Sequence, residues 1–152
     1  MNEKENRLLS AQALAYVGDC VIELCVRSLL VERGLARSKE LNREALRYVS
    51  AVAQAEAIER ILPLLNDEEA GVYRRARNAG HLQNVPQSAT VGQYRAATGM
   101  EALFGYLYLC GALPRVRELF RVGYPDAADA ALPLLGMQIE SATESAESGR
   151  NE

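Results

Sequence analysis

Over residues 8–32 the chain carries no proline, and apolar side chains fall on almost every face of a 3.6-residue helix: Leu14, Val17, Val21 and Leu24, then Ile22, Cys25, Val26, Leu29 and Leu30. A helix of this kind has to be covered all round, which predicts a central helix with others packed about it. The rest of the chain agrees. Long segments are rich in Ala, Leu, Glu and Arg, and no stretch alternates apolar and polar residues as a half-buried strand would, so the expected fold class is all-α.

Stop and start signals divide the helices. Gly34 ends the first. Ser38 is expected to cap a second that runs to about Tyr48, and Ser50 a third through Ala53, Ala57, Ile58, Ile61 and Leu62, closed near Pro63. Asn66 or Asp67 opens a fourth through Val72, Arg74 and Arg75 that ends by Gly80. Residues 80–89 have no period and read as a loop; Thr90 opens a long helix to about Cys110, and Pro114 a last one through Phe120.

With 152 residues and 49% hydrophobic side chains, one globular core is expected, over residues 8–122. From residue 123 core formers give way to Ser, Ala and Gly, so residues 123–152 are expected to form a poorly ordered acidic tail, with one apolar contact through Leu132, Leu134, Leu135 and Ile139. The start, MNEKENRLLS, has no secretory pattern. The longest nearly uncharged apolar stretch, residues 100–114, contains Glu101 and falls short of the ~20 residues a bilayer needs, so a cytoplasmic protein without a membrane partner is expected. Cys20, Cys25 and Cys110 lack metal or redox spacing and are expected to be small buried apolar residues.

The formal charge of −3 argues against a phosphate-bearing partner until it is divided along the chain. Residues 123–152 hold six acids and one base, which leaves residues 1–122 with sixteen bases and fourteen acids, a net +2. Residues 70–100 contain no Asp or Glu. Arg74, Arg75, Arg77 and Arg95 fall there, interleaved with Tyr73, Asn78, Gln83, Asn84, Gln87, Ser88, Gln93 and Tyr94, which is the composition of a nucleic-acid-facing helix end and loop. A solvated arginine-rich surface facing the acidic tail would look the same. His81, the one histidine, reads as a loop residue.

Two carboxylates stand out against this background. Asp19, beside Gly18, is a poor choice for a helix interior, and two such residues together point to function overriding helix stability. Glu101 is the only charge between Arg95 and Arg115. If the two long helices cross near Gly18 and Gly105, Asp19 and Glu101 face each other, and a hard cation such as Mg2+ relieves their repulsion while keeping waters that can serve as nucleophile. Each acid also has a plainer reading: Asp19 exposed or paired with Arg27, Glu101 paired with Arg95 or Arg115. Glu23 and Arg27, spaced i, i+4, are expected to form a structural ion pair.

At this point the residues match a known pattern. AYVGDCV (residues 15–21) resembles the E-F-L-G-D-A-V signature of the ribonuclease III family, and EALFGYLYL (residues 101–109) resembles its E-A-L-I-G-A-I-Y-L motif. With RRARNA between them, the pattern is most similar to the stand-alone Mini-ribonuclease III subfamily, over residues 8–120. The resemblance implies an all-α endonuclease domain without a double-stranded-RNA-binding domain. It implies a homodimer that cuts double-stranded RNA, precursor 23S ribosomal RNA above all, with Mg2+ held by Asp19 and Glu101, leaving 5′-phosphate and 3′-hydroxyl ends. It associates Arg77, Asn78 and the stretch up to Thr90 with RNA binding, to which the composition adds Arg74, Arg75, Tyr94 and Arg95.

The larger ribonuclease III enzymes carry further acids four residues before the Asp and three before the Glu, where this chain has Ala15 and Thr98; Gln12 replaces another. The reduced set implies one firmly held Mg2+ with mostly water ligands, Gln12 and Thr98 holding those waters from outside. Two other readings stay open: a non-catalytic RNA-binding or assembly module on the same fold, and an all-α nucleotide pyrophosphatase. The central helices lack the clustered E-x-x-E pairs of the latter.

Overall fold

The computed structural model describes residues 2–79 and 85–132, which contain helices and turns and no strand. Among the described residues seven α-helices follow in order: α1 Glu3–Arg7, α2 Ala11–Glu32, α3 Ser38–Val49, α4 Ala51–Ile61, α5 Asp67–Asn78, α6 Val91–Leu109 and α7 Leu113–Gly123. Short 3-10 turns occupy Leu62–Leu64 and Pro125–Ala127. Residues 80–84, with His81, Gln83 and Asn84, and residues 133–152, with Leu134, Leu135 and Ile139, lie outside the described residues.

The helix ends follow from side-chain chemistry. Ser10, Ser50, Asn66 and Thr90 each accept a backbone N–H from the first turn of the helix they open. Asn66 and Thr90 do so in reciprocal boxes with Glu69 and Gln93. Ser38 does not cap α3: it is the first residue of that helix, and Arg37 before it makes no side-chain cap. α1 was not anticipated; Asn2 and Glu5 form its capping box, and Asn6 Nδ2 donates to Cys110 Sγ at 3.3 Å.

α2 and α6 form the central crossing. A Cβ built on Gly18 would lie 1.6 Å from the Glu101 carbonyl oxygen, and one on Gly105 would lie 2.0 Å from that of Leu14. No side chain fits between these backbones, so the two glycines set the depth of the crossing. α4, α5 and α7 cover the other sides of α6, and α3 lies against α2. The buried residues of α2 (Leu14, Ile22, Cys25, Val26, Leu29) and of α6 (Met100, Leu103, Phe104, Leu107) join Ile58, Ile61, Leu119 and Phe120 in one core.

Two expectations need correcting. α2 is not covered all round: Ala13, Tyr16, Cys20, Leu24, Arg27 and Val31, spaced three and four apart on one face, are exposed, with Tyr16 at 83%. Cys20 therefore faces solvent and Cys110 is only half-buried, while burial pushes the Cys25 thiol up to about 12. The second correction is the boundary at 122/123. Residues 124–132 pack on the core, with Tyr124, Ala127, Ala130 and Leu132 buried. The Tyr124 hydroxyl donates to the Tyr48 carbonyl at 2.7 Å, the Tyr48 hydroxyl to Asp126 Oδ2 at 2.6 Å, and the Ala131 and Leu132 amides to the Glu32 carboxylate. Alternating small and apolar residues at this end fill a groove that composition alone reads as tail.

Candidate active site

Where α2 and α6 diverge from their crossing, a cleft of about 430 Å³ opens. α2 contributes Gln12, Ala15, Tyr16 and Asp19; α6 contributes Tyr94, Arg95, Thr98 and Glu101; Ala76 of α5 and Ala79 just after it close one side. The crossing at Gly18 and Gly105 thus brings Asp19 and Glu101 to one cavity, as the motif spacing leads one to expect.

The electrostatics of the pair are those of acids held without a counter-cation. Partial burial raises the Asp19 carboxyl above its ordinary value, and Glu23 one turn along adds to the shift. Burial, then the charge of Asp19, pushes Glu101 up to about 7, against a hydrogen bond from Gln54 that favours the charged form. Among the described residues no ion pair joins either acid to an arginine. Arg115 instead holds Glu69 at 2.8 Å and Glu118 at 2.9 Å, and Arg27 holds Glu23 at 2.9 Å, which is the structural pair expected there. Arg95 lines the same cleft, yet its Nε is buried with no hydrogen-bond partner among the described residues.

The remaining residues singled out in the sequence fall in two places. Gln12 and Thr98 line the cleft, and the Thr98 hydroxyl donates back to the Tyr94 carbonyl at 3.0 Å, leaving its lone pairs toward further donors. Arg74, Arg75, Arg77 and Asn78 are exposed on the last turns of α5, next to the cleft-lining Ala76 and Ala79. Arg77 also borders a second groove with Tyr73, Glu59 and Gln93.

Gln54 is the site residue that the sequence reading missed. It is 2% exposed, on the stripe of α4 that continues through Ala57, Ile58 and Ile61. A polar residue at i with fully buried partners at i+3, i+4 and i+7 was the available signal.

As a donor set, this cleft offers oxygen only. Among the described residues no three His, Cys, Asp or Glu side chains gather to hold a metal. Two mutually repelling carboxylates, with no ion-pair partner among the described residues, fit a hard divalent cation that keeps most of its waters, and do not fit zinc.

The family described as "Ribonuclease III domain" matches residues 12–112. Among curated proteins the chain is similar to the Mini-ribonuclease 3 of Symbiobacterium thermophilum, 49% identical over 71% of this chain and 82% of that one. It is 40% identical to that of a Thermoanaerobacter strain, over 75% and 80%, and 38% identical to that of Brevibacillus brevis, over 80% and 90%. Among solved structures, the crystal structure of a protein from Fusobacterium nucleatum superposes with a TM-score of 0.72 at 28% identity, covering 79% of this chain and 95% of that one.

Proposed function

The chain belongs to the ribonuclease III family and is an endoribonuclease; on that premise we propose that it cuts double-stranded RNA in a Mg2+-dependent reaction at the Asp19–Glu101 cleft, with the ends of precursor 23S ribosomal RNA as substrate. The observation that carries the reading is the convergence of two acids from separate helices on one cleft, neither of them ion-paired with a basic side chain among the described residues.

Asp19 and Glu101 would hold the ion. Bound there, Mg2+ would supply an acidified water and offset charge on the phosphate. The chain's own groups do the positioning. Arg95, whose Nε is buried in the cleft without a hydrogen-bond partner among the described residues, would take a non-bridging oxygen of the phosphate being cut. Arg74, Arg75, Arg77 and Asn78, just outside on α5, meet flanking backbone phosphates, and Tyr94 lies at the cleft wall against sugar or base. Contacts of this kind read the A-form backbone rather than sequence. Gln12 and Thr98, which line the cleft, would hold waters around the ion.

The strip Ala13, Tyr16, Cys20 and Leu24 supports a homodimer: an apolar face with an aromatic this exposed is what a second copy would cover. No helix among the described residues is long and apolar enough to cross a membrane, and ribosomal RNA as substrate makes the cytoplasm the expected site of action. The test is incubation with a long RNA duplex and with a precursor 23S stem, each with Mg2+, with chelator, and as single strands. Cleavage of both duplexes that leaves 5′-phosphates, stops with chelator and spares single strands is expected. Cutting that ignores the chelator would overturn the reading.

A further inference from the structure

Helices α5 and α6 line two openings. Ala76, Tyr94, Arg95 and Thr98 face the acid-lined cleft, whereas Tyr73, Arg77, Gly92 and Gln93 line a second groove of about 470 Å³, to which α4 adds Glu59 and Leu62. A volume of this order suits a small organic ligand. Three observations say which kind. Tyr73 is 7% exposed, with its ring against Gly99, where an added Cβ would lie 2.6 Å from it. Its hydroxyl makes no hydrogen bond among the described residues, although a phenol this deeply buried ordinarily finds a partner. Glu59 and Arg77, of opposite charge, line the same groove, and among the described residues neither makes an ion pair, so the groove stays open between them. Finally, Gly92 belongs to the first turn of the 19-residue α6, where Thr90 Oγ1 accepts from the Gln93 amide. That leaves the Gly92 amide without an acceptor among the described residues, at the positive end of the helix.

We propose that this groove binds a guanosine 5′-phosphate unit, with its phosphate at Arg77 and the first-turn amides of α6 and its guanine edge at Glu59. The donors for an anion stand on α5 and α6, and the acceptor stands on α4. An ionised carboxylate only accepts. Of the RNA bases guanine alone offers it two adjacent donors, N1–H and the 2-amino group, to match its two oxygens. Leu62 and Ala96 supply apolar surface for the base, and a ribose or phosphate oxygen gives the Tyr73 hydroxyl its partner. The unit has two sources, an unpaired guanosine in RNA held by the neighbouring cleft or a free nucleotide. The groove takes either whether or not the cleft holds a metal ion.

Calorimetric titration of the full-length protein in EDTA, which keeps metal out of the cleft, tests this with GMP, AMP, guanosine and inorganic phosphate. Saturable GMP binding is expected, about tenfold tighter than AMP and tighter than guanosine or phosphate alone. Glu59→Gln is expected to erase the preference for GMP over AMP. Arg77→Ala is expected to weaken GMP about tenfold and leave guanosine unchanged. A Cβ on Gly92 meets only the Thr90 hydroxyl oxygen, at 3.9 Å, so Gly92→Leu fits the fold, and by filling the groove it should abolish GMP binding. No saturable GMP binding, equal affinity for GMP and AMP, or parent-like affinity in folded Glu59→Gln and Gly92→Leu would each overturn the proposal. Two labelled duplexes, one fully paired and one with a single unpaired guanosine, then identify the source in the same buffer. GMP that displaces only the second supports the RNA nucleotide, and GMP that displaces neither supports the free one. Displacement of both would place GMP on the duplex-binding surface and overturn the assignment.

Discussion

Glu69 and Glu101 are both carboxylates lodged at helix contacts, on α5 and α6, and they have been put to opposite uses. Burial pushes the Glu69 carboxyl up, but the Arg115 guanidinium and the Asn66 backbone amide more than offset it and hold Glu69 below the usual range. Glu101 meets the same desolvation with a neutral amide and a like charge, and goes up to about 7. The first arrangement ties α5 to α7 and closes the cap of α5. The second leaves a charge uncompensated inside the protein, a state kept only where something else is to bind.

The comparison can be broken in stages. Glu69→Ala removes the ion pair and half of the capping box and leaves Arg115 partly stranded; a loss of about 3 kcal/mol in denaturant unfolding is expected, with cleavage per folded molecule unchanged. Gly18→Ala forces a methyl into the Glu101 backbone. It is expected to lower stability by about 2 kcal/mol and, unlike Glu69→Ala, to reduce cleavage too, because the crossing that aligns the acids has shifted.

The pH dependence sharpens the contrast further. Glu101 holds its proton more tightly in the folded protein than at its ordinary value of 4.5, so its contribution to stability is complete below that pH and is lost as pH rises through about 7. Glu69 is the reverse: its contribution is present above the ordinary value and is lost as pH falls through its lowered one. Metal-free Glu101→Gln should therefore be more stable than the parent at pH 8, by about 1–2 kcal/mol, and should equal it near pH 4.5. Thermal unfolding at the two pH values checks the sign. Smallest of all is the effect of the α5 arginines. Arg74→Ala, Arg75→Ala and Arg77→Ala should each reduce the salt dependence of duplex binding by about one phosphate contact, read from log Kd against log salt.

How much of this was readable in the sequence depended on whether the signal was local. Caps at Ser50, Asn66 and Thr90 and the stop at Gly34 are decided by neighbours within a turn, and they stand where expected. The crossing at Gly18 and Gly105 was inferable because glycine beside an acid in a helix has few other reasons to be there. The packed segment 124–132 was not, since Tyr124 and Asp126 are held by Tyr48 and Arg33, far away along the chain. Nor was the bare strip of α2, for hydrophobicity reports what must be covered and not which chain covers it. Gln54 was visible as a polar break in a buried stripe, but only the packing of α4 on α6 gives it a partner.

The central claim is that the uncompensated pair, Asp19 and Glu101, is the reactive one. Single-turnover cleavage of a long RNA duplex at saturating protein and Mg2+ tests it most directly, with Asp19→Asn, Glu101→Gln and Glu69→Ala compared at matched folded fractions. The first two variants are expected to lose about a thousandfold or more in rate while still binding duplex, and the third to cleave as the parent does. Rates for Asp19→Asn and Glu101→Gln within tenfold of the parent would contradict the account.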